Sequence, residues 1–272
     1  LYASALDRVQ TIFSSAQKEN NAPQVVKAVI HKMKYNSYLE EDDFIIAISE
    51  LDSLSKTSQF PLKQIIHSVT ADTYWGYYQS NRWQFMNRTE TVNFENKDIR
   101  TWDLNKISDE VNRQFLLSLS SADSLQHTDI NDFSEIILDG SESHVQRPTL
   151  YDFLAHRALN YFESTEPELT RPENKFVVRG TSFFATDLIF MTTPTVSDDS
   201  RSNALHATRI FKELTELHQG DKAPEAIVDL TFRRLKYARS HSVEENKDEL
   251  YIKALDALTL KHEKHKVYAE IL

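Results

Sequence analysis

A chain of 272 residues with four Gly, seven Pro and no Cys is long enough to bury a sizeable core, and it has too few turn residues for a sheet or barrel. Its net charge of −10, with Asp and Glu interleaved among Lys and Arg, argues against a nucleic-acid binder, and no run reaches the roughly 18 apolar residues of a membrane span. The missing Cys excludes disulfides, thiol catalysis and a lipid-anchored Cys within these residues.

Four prolines, Pro23, Pro61, Pro148 and Pro224, stand just ahead of apolar-periodic runs, as suits the first turn of a helix. The first helix carries Ala5, Val9, Ile12, Phe13 and Ala16 on one face and stops near Asn20-Asn21. Pro23 opens a second, with Val26, Val29, Ile30 and Met33 facing inward. Ser37-Tyr38-Leu39-Glu40 fits a capping box for a third, with the stripe Phe44, Ala47, Ile48 and Leu51. Pro61 starts a fourth, in which Leu62, Ile65, Ile66 and Val69 lead into an aromatic run. The short turns between them predict antiparallel neighbours, hence two helical hairpins.

Tyr74, Tyr78, Arg82 and Phe85 keep helical spacing and predict that the fourth helix runs on through them. Residues 87–103 contain neither Gly nor Pro and predict a long ordered loop, turned by Asn93, Asn96 and Asp98 and pinned by Trp102. Asp103 is the expected N-cap of a fifth helix carrying Leu104, Ile107, Val111 and Phe115. A polar region to Gly140 contains the short apolar turn Ile136-Ile137-Leu138, and Pro148 opens a helix through Phe162. Residues 165–199 hold the other three prolines, and Phe176-Val177-Val178 and Phe183-Phe184 are expected to be extended. Beyond Ser200 a helix with Ile210, Phe211, Leu214 and Leu217 is closed by Gly220. Ala223-Pro224 begins the next, and Ser242-Val243-Glu244-Glu245 fits a capping box before a last helix with Tyr251, Ala254, Leu255 and Leu258.

The expected fold is therefore all-α, with little or no strand. The sequence divides into a helical-hairpin array at 1–164, an irregular crossing segment at 165–199, and a second hairpin unit at 200–272. A faint echo supports repeated hairpins: Ile12-Phe13, Ala22-Pro23 and Lys34-Tyr35 parallel Ile210-Phe211, Ala223-Pro224 and Lys236-Tyr237. The strict tetratricopeptide pattern is absent, so the expectation is an irregular, tetratricopeptide-like α-solenoid. The lack of an initiating Met and the helical pattern at Val267–Leu272 predict a piece truncated from a longer chain.

Motifs for chemistry are scarce. His262-Glu263-Lys264-His265 places its second His one residue too early for a zincin site, so solvated helix-end charges are the expected reading. His156 is expected to be a hydrogen-bonded packing residue. Glu40-Glu41-Asp42-Asp43 supplies first-turn helix charges. Arg233, Arg234, Lys236 and Arg239 form the densest basic run, and spacing puts them mostly on the solvent side of one helix. Asn87-Arg88-Thr89 formally matches a glycosylation sequon. No phosphate cradle or G-x-S-x-G elbow occurs, and no cofactor or metal is expected.

Three stretches carry a family resemblance: Tyr74 to Asp103, Arg147-Pro148-Thr149-Leu150-Tyr151-Asp152-Phe153-Leu154-Ala155-His156-Arg157-Ala158-Leu159, and Asp248-Glu249-Leu250-Tyr251-Ile252-Lys253-Ala254-Leu255. The sequence resembles the N-terminal region of the large alpha-2-macroglobulin-like proteins of Bacteroides-type bacteria. The resemblance implies a large periplasmic, cell-envelope-associated protein that traps invading proteases. In it this chain would be a non-catalytic helical scaffold ahead of β-rich macroglobulin domains. Its partners would be the remaining domains of its own parent chain and, through them, proteases. The trap's Cys–Gln thioester is excluded within these residues. The rival expectation is an autonomous helical-repeat adaptor that holds a peptide or envelope protein in a groove.

The aromatic stretch supplies the candidate binding residues Trp75, Tyr78, Arg82, Trp83, Arg88, Trp102 and Asp103. Trp, Tyr and Arg are favoured at interfaces. Aromatics at helical spacing more often form core, so packing is the expected role of the rings, with Arg82, Arg88 and Asp103 as loop-fixing ions or caps.

Overall fold

The computed structural model describes residues 2–86, 98–137, 143–166 and 176–263. Among them the chain is all-α, with thirteen α-helices, short 3-10 turns and no strand; Asp129 and Thr149 make one isolated bridge. The chain forms two compact units. The first comprises Leu1–Asp139 with Thr149–Leu154, and the second comprises Gly140–Pro148 with Ala155–Leu272.

The first unit holds α1 (Tyr2–Lys18), α2 (Ala22–Asn36), α3 (Asp43–Thr57), α4 (Leu62–Ser80), α5 (Arg82–Met86), α6 (Leu104–Ser118) and α7 (Ala122–Gln126). Helices α1 and α2 pack together across the turn at 19–21, which only an antiparallel pair can do over so short a connection. Asn21 caps α2 by accepting from Gln24 N at 3.1 Å. Ala16, Val25, Val29, Leu51, Leu54 and Ile66 form the core where α1 to α4 converge. Gly76 lets α3 and α4 approach, because a Cβ there would stand 3.2 Å from the Phe44 ring.

Helix α4 packs most extensively on α6. The predicted stripe Leu104, Ile107, Val111 and Phe115 is buried, and Asp103 Oδ1 caps α6 by accepting from Lys106 N at 2.8 Å. Polar side chains also enter this interface: His67 Nδ1 donates to Gln114 Oε1 at 2.7 Å, as a buried imidazole must if it is to stay satisfied.

Several local expectations are corrected. Ile30 is 46 % exposed, and α2 buries Val25, Val26, Ala28 and Val29 instead. Ser37 does not open a capping box. It ends α2, its amide donating to Met33 O and its hydroxyl to Lys34 O, while α3 begins at Asp43 without a side-chain cap. Helix α4 stops at Asn81, whose side chain donates to Tyr77 O at 2.9 Å, so Arg82 and Phe85 belong to the separate α5. Asp98 turns the end of the predicted loop by accepting from Arg100 N, but residues 87–97 lie outside the described residues.

Helix α9 (Leu150–Phe162) supplies its first five residues to the first unit and the rest to the second. It opens on a reciprocal cap: Thr149 N donates to Asp152 Oδ2 at 3.0 Å, and Asp152 N donates to Thr149 Oγ1 at 3.2 Å. Leu138 and Gly140 lie outside the described residues.

The second unit also contains α8 (Ser143–Gln146), α10 (Asp187–Thr192), α11 (Asn203–His218), α12 (Glu225–His241) and α13 (Lys247–His262). Helix α12 packs against both α11 and α13. Ser202 caps α11 by accepting from Leu205 N at 3.2 Å. Residues 176–179 are irregular, whereas Phe183-Phe184 lie in a 3-10 turn at Thr181–Phe184, not in an extended segment. Gly180 leads into that turn with φ of 95° and donates its amide to Glu244 Oε1 at 2.8 Å. Glu244 is thereby engaged outside the predicted capping box, and Ser242 ends α12 while α13 starts at Lys247. Gly220 follows α11 without a positive φ. Residues 167–175 and 264–272 lie outside the described residues.

Candidate functional site

The aromatic stretch splits between core and surface. Tyr78 is fully buried, with half-buried Trp75 stacked on it at 4.7 Å and Phe85 edge-on at 5.4 Å. Half-buried Trp102 stacks on Tyr74 at 5.7 Å and 8°, and Lys106 Nζ lies 5.1 Å from its ring. Burial pushes the Tyr74 hydroxyl well above the usual tyrosine value, which suits an uncharged packing ring. Arg82 and Trp83 are on the surface, Trp83 at 83 % exposure. Asp103 is the cap of α6, and Arg88 with its sequon lies outside the described residues. The structure therefore joins Tyr74 with Trp102 and Trp75 with Tyr78 as packing pairs.

Two ionic clusters in the second unit hold more potential chemistry. Arg233 donates through Nε to Glu163 Oε1 at 2.7 Å and through Nη2 to Asn160 Oδ1 at 2.7 Å. Its Nη1 stands 3.0 Å from His156 Nδ1. A guanidinium can only donate, so Nδ1 accepts and His156 is the neutral tautomer protonated at Nε2. Burial, then the charges of Arg147, Arg233 and His218, hold the His156 pKa well below its ordinary value. The only ring nitrogen able to accept a proton is already occupied by Arg233, so the cluster is built as a strut between α9 and α12. Asp229 and Arg147 add an ion pair at 3.6 Å.

Arg234 corrects the sequence reading most sharply. Placed by its neighbours on a solvated face, it is fully buried. Its Nη1 donates to Phe183 O at 2.6 Å, and its Nη2 donates to Ala185 O at 3.2 Å and Asp187 Oδ1 at 3.0 Å. The guanidinium also lies 4.5 Å from the Phe190 ring centre. Adjacent residues on a helix point about 100° apart, so one arginine of a pair can turn inward while the other stays at the rim. Thr231 donates to the same Asp187 oxygen at 2.9 Å. Burial pulls the Arg234 pKa down, opposed by Asp187, and the ion pair fixes residues 181–187 to α12.

Above this ion pair lies a groove of about 640 Å³, between residues 181–189 on one wall and α13 on the other. Leu188 and Ile189 line it with 56 % and 51 % exposure, and α13 presents Leu250, Ala254, Ala257 and Leu258 with Lys253 and Lys261. A groove of this size, lined by apolar groups and a few charges, has the dimensions of a binding site. Leu188 and Ile189 lie in the six-residue α10, which is too short to bury both.

Among the described residues, no three His, Asp or Glu side chains are grouped to hold a metal ion. None of the described helices is long and apolar enough to cross a membrane. His265 of the zincin-like run lies outside the described residues. No protein-family model, curated protein or solved structure matches the chain.

Proposed function

We propose that this chain is a non-catalytic helical scaffold, the N-terminal region of a large alpha-2-macroglobulin-like protein of the bacterial periplasm or cell envelope whose whole traps proteases. The observation that carries the scaffold role is the use of ionisable side chains as struts. Arg233 ties residues 156–163 to α12 through three side chains, and Arg234 ties residues 183–187 to α12 through two carbonyls and a carboxylate. Charges held this way fix geometry and are poorly placed to meet a substrate. The family assignment rests on the sequence resemblance. Two of its motifs supply such fixtures, the Thr149–Asp152 cap and the Tyr74–Trp102 stack.

A second reading, an autonomous helical adaptor for a peptide or envelope partner, is favoured by the open apolar groove of the second unit. Sequencing the source gene past the codon for Leu272 separates the two. Repeated β-sandwich domains downstream are expected, whereas a continuing series of helical hairpins would favour the adaptor.

A further inference from the structure

The groove of the second unit has a composition that selects its occupant. We propose that it docks an amphipathic helix with an apolar stripe and acidic margins, supplied by a separate partner protein. Docking at this groove deepens the adaptor reading, on which it rests, and does not depend on the macroglobulin one.

One wall is a face of α13. Leu250, Ala254, Ala257, Leu258 and Lys261 follow one another at helical intervals along the groove. The two central alanines keep that face low, so a second helix can approach closely and set its ridges beside it. The opposite wall presents Leu188 and Ile189, large apolar side chains that remain more than half exposed and would be covered by an inserted helix.

Charge then fixes the margins of the occupant. Lys253 and Lys261 are exposed on the groove, and the single carboxylate lining it, Asp187, is already engaged by Arg234 and Thr231. The groove is thus locally cationic in a chain whose net charge is −10. That local inversion favours Glu or Asp beside the apolar stripe of an incoming helix and disfavours Lys or Arg there. A basic or uncharged apolar helix would leave both lysines without partners in a shielded rim.

The test is a display library of amphipathic helices with a fixed Leu stripe and flanking positions randomised among Glu, Gln and Lys, selected on the 272-residue chain. Glu should be enriched, and the selected peptides should bind in the micromolar range. Two surface variants, each checked for unchanged helicity by circular dichroism, locate the site. Ala257→Arg should weaken those peptides at least about tenfold by filling the groove, and Lys253→Glu with Lys261→Glu should shift selection from Glu to Lys. Absence of binders, absence of charge selection, or undiminished binding to Ala257→Arg would overturn the proposal. So would a dimer of the unliganded chain that Ala257→Arg dissolves, since a second copy would then be the occupant.

Discussion

Replacing Arg234 by Ala isolates what a buried strut contributes. The guanidinium is fully buried and donates to Phe183 O, Ala185 O and Asp187 Oδ1, with Phe190 beneath it. Its removal leaves Asp187 with Thr231 as its one remaining side-chain donor in this cluster and releases two carbonyls. Hydrogen bonds to charged groups are worth about 1.5–3 kcal/mol each and do not add fully, and breaking one side of a buried pair costs roughly 3–5 kcal/mol. The expected loss is therefore about 4 kcal/mol. Urea unfolding followed by far-ultraviolet circular dichroism measures it. All three tryptophans, Trp75, Trp83 and Trp102, belong to the first unit, so their fluorescence reports that unit alone and distinguishes a local loss from a general one. The double variant Arg234→Met with Asp187→Leu should recover part of the stability, because it removes both charges together and keeps the volume. A loss below about 1 kcal/mol for Arg234→Ala, or a double variant as unstable as the sum of the two single ones, would refute the reasoning.

Two further outcomes follow from side chains the structure places. The buried His156 has a pKa well below its ordinary value of 6.5, so the unfolded chain takes up this proton first as pH falls. The stability present above that value should decline as pH drops through 6.5 toward the lower folded value, and His156→Gln should flatten the decline in urea midpoints between pH about 7.5 and about 5; identical slopes would exclude His156 as the cause. Trp102→Ala removes a half-buried ring and its stack on Tyr74, so a loss of about 2 kcal/mol in the fluorescence-detected transition is expected, below the roughly 3–5 kcal/mol of a fully buried aromatic; no change would place Trp102 outside the fold's support.

The all-α architecture was legible because long helices show their buried faces as periodic stripes. Leu104, Ile107, Val111 and Phe115 in α6, with Asp103 ahead of them, read directly from spacing and a cap. Short elements did not read. The 3-10 turn at 181–184 and the six residues of α10 are too brief to display a period, so Phe183-Phe184 looked extended. The two Ser-x-x-Glu runs at Ser37 and Ser242 misled for one reason. In both, the serine ends the preceding helix, and the next helix starts only at Asp43 or Lys247. Arg234 escaped because polarity assigns a charged run to solvent, whereas its partners are backbone carbonyls distant in sequence that no local pattern records. Of the candidate aromatic residues, spacing anticipated the packing of Tyr78, while Trp83, 83 % exposed, lies past the break at Asn81. The groove was hidden for the same reason as Arg234, since its walls come from segments separated by some sixty residues.

We propose that this chain is a scaffold without an inhibitory element of its own. A thioester needs a cysteine sulfur, which the sequence lacks, and a mechanical trap needs a cleavable segment coupled to large domains that rearrange. The direct measurement incubates the 272-residue chain with serine, cysteine and metalloproteases, following activity on a large protein substrate and the intact mass of the products. Full protease activity at equimolar ratio and no species heavier than the separate components are the results expected. A stable adduct, or stoichiometric loss of activity toward the large substrate, would contradict the account and place the inhibitory element within these residues.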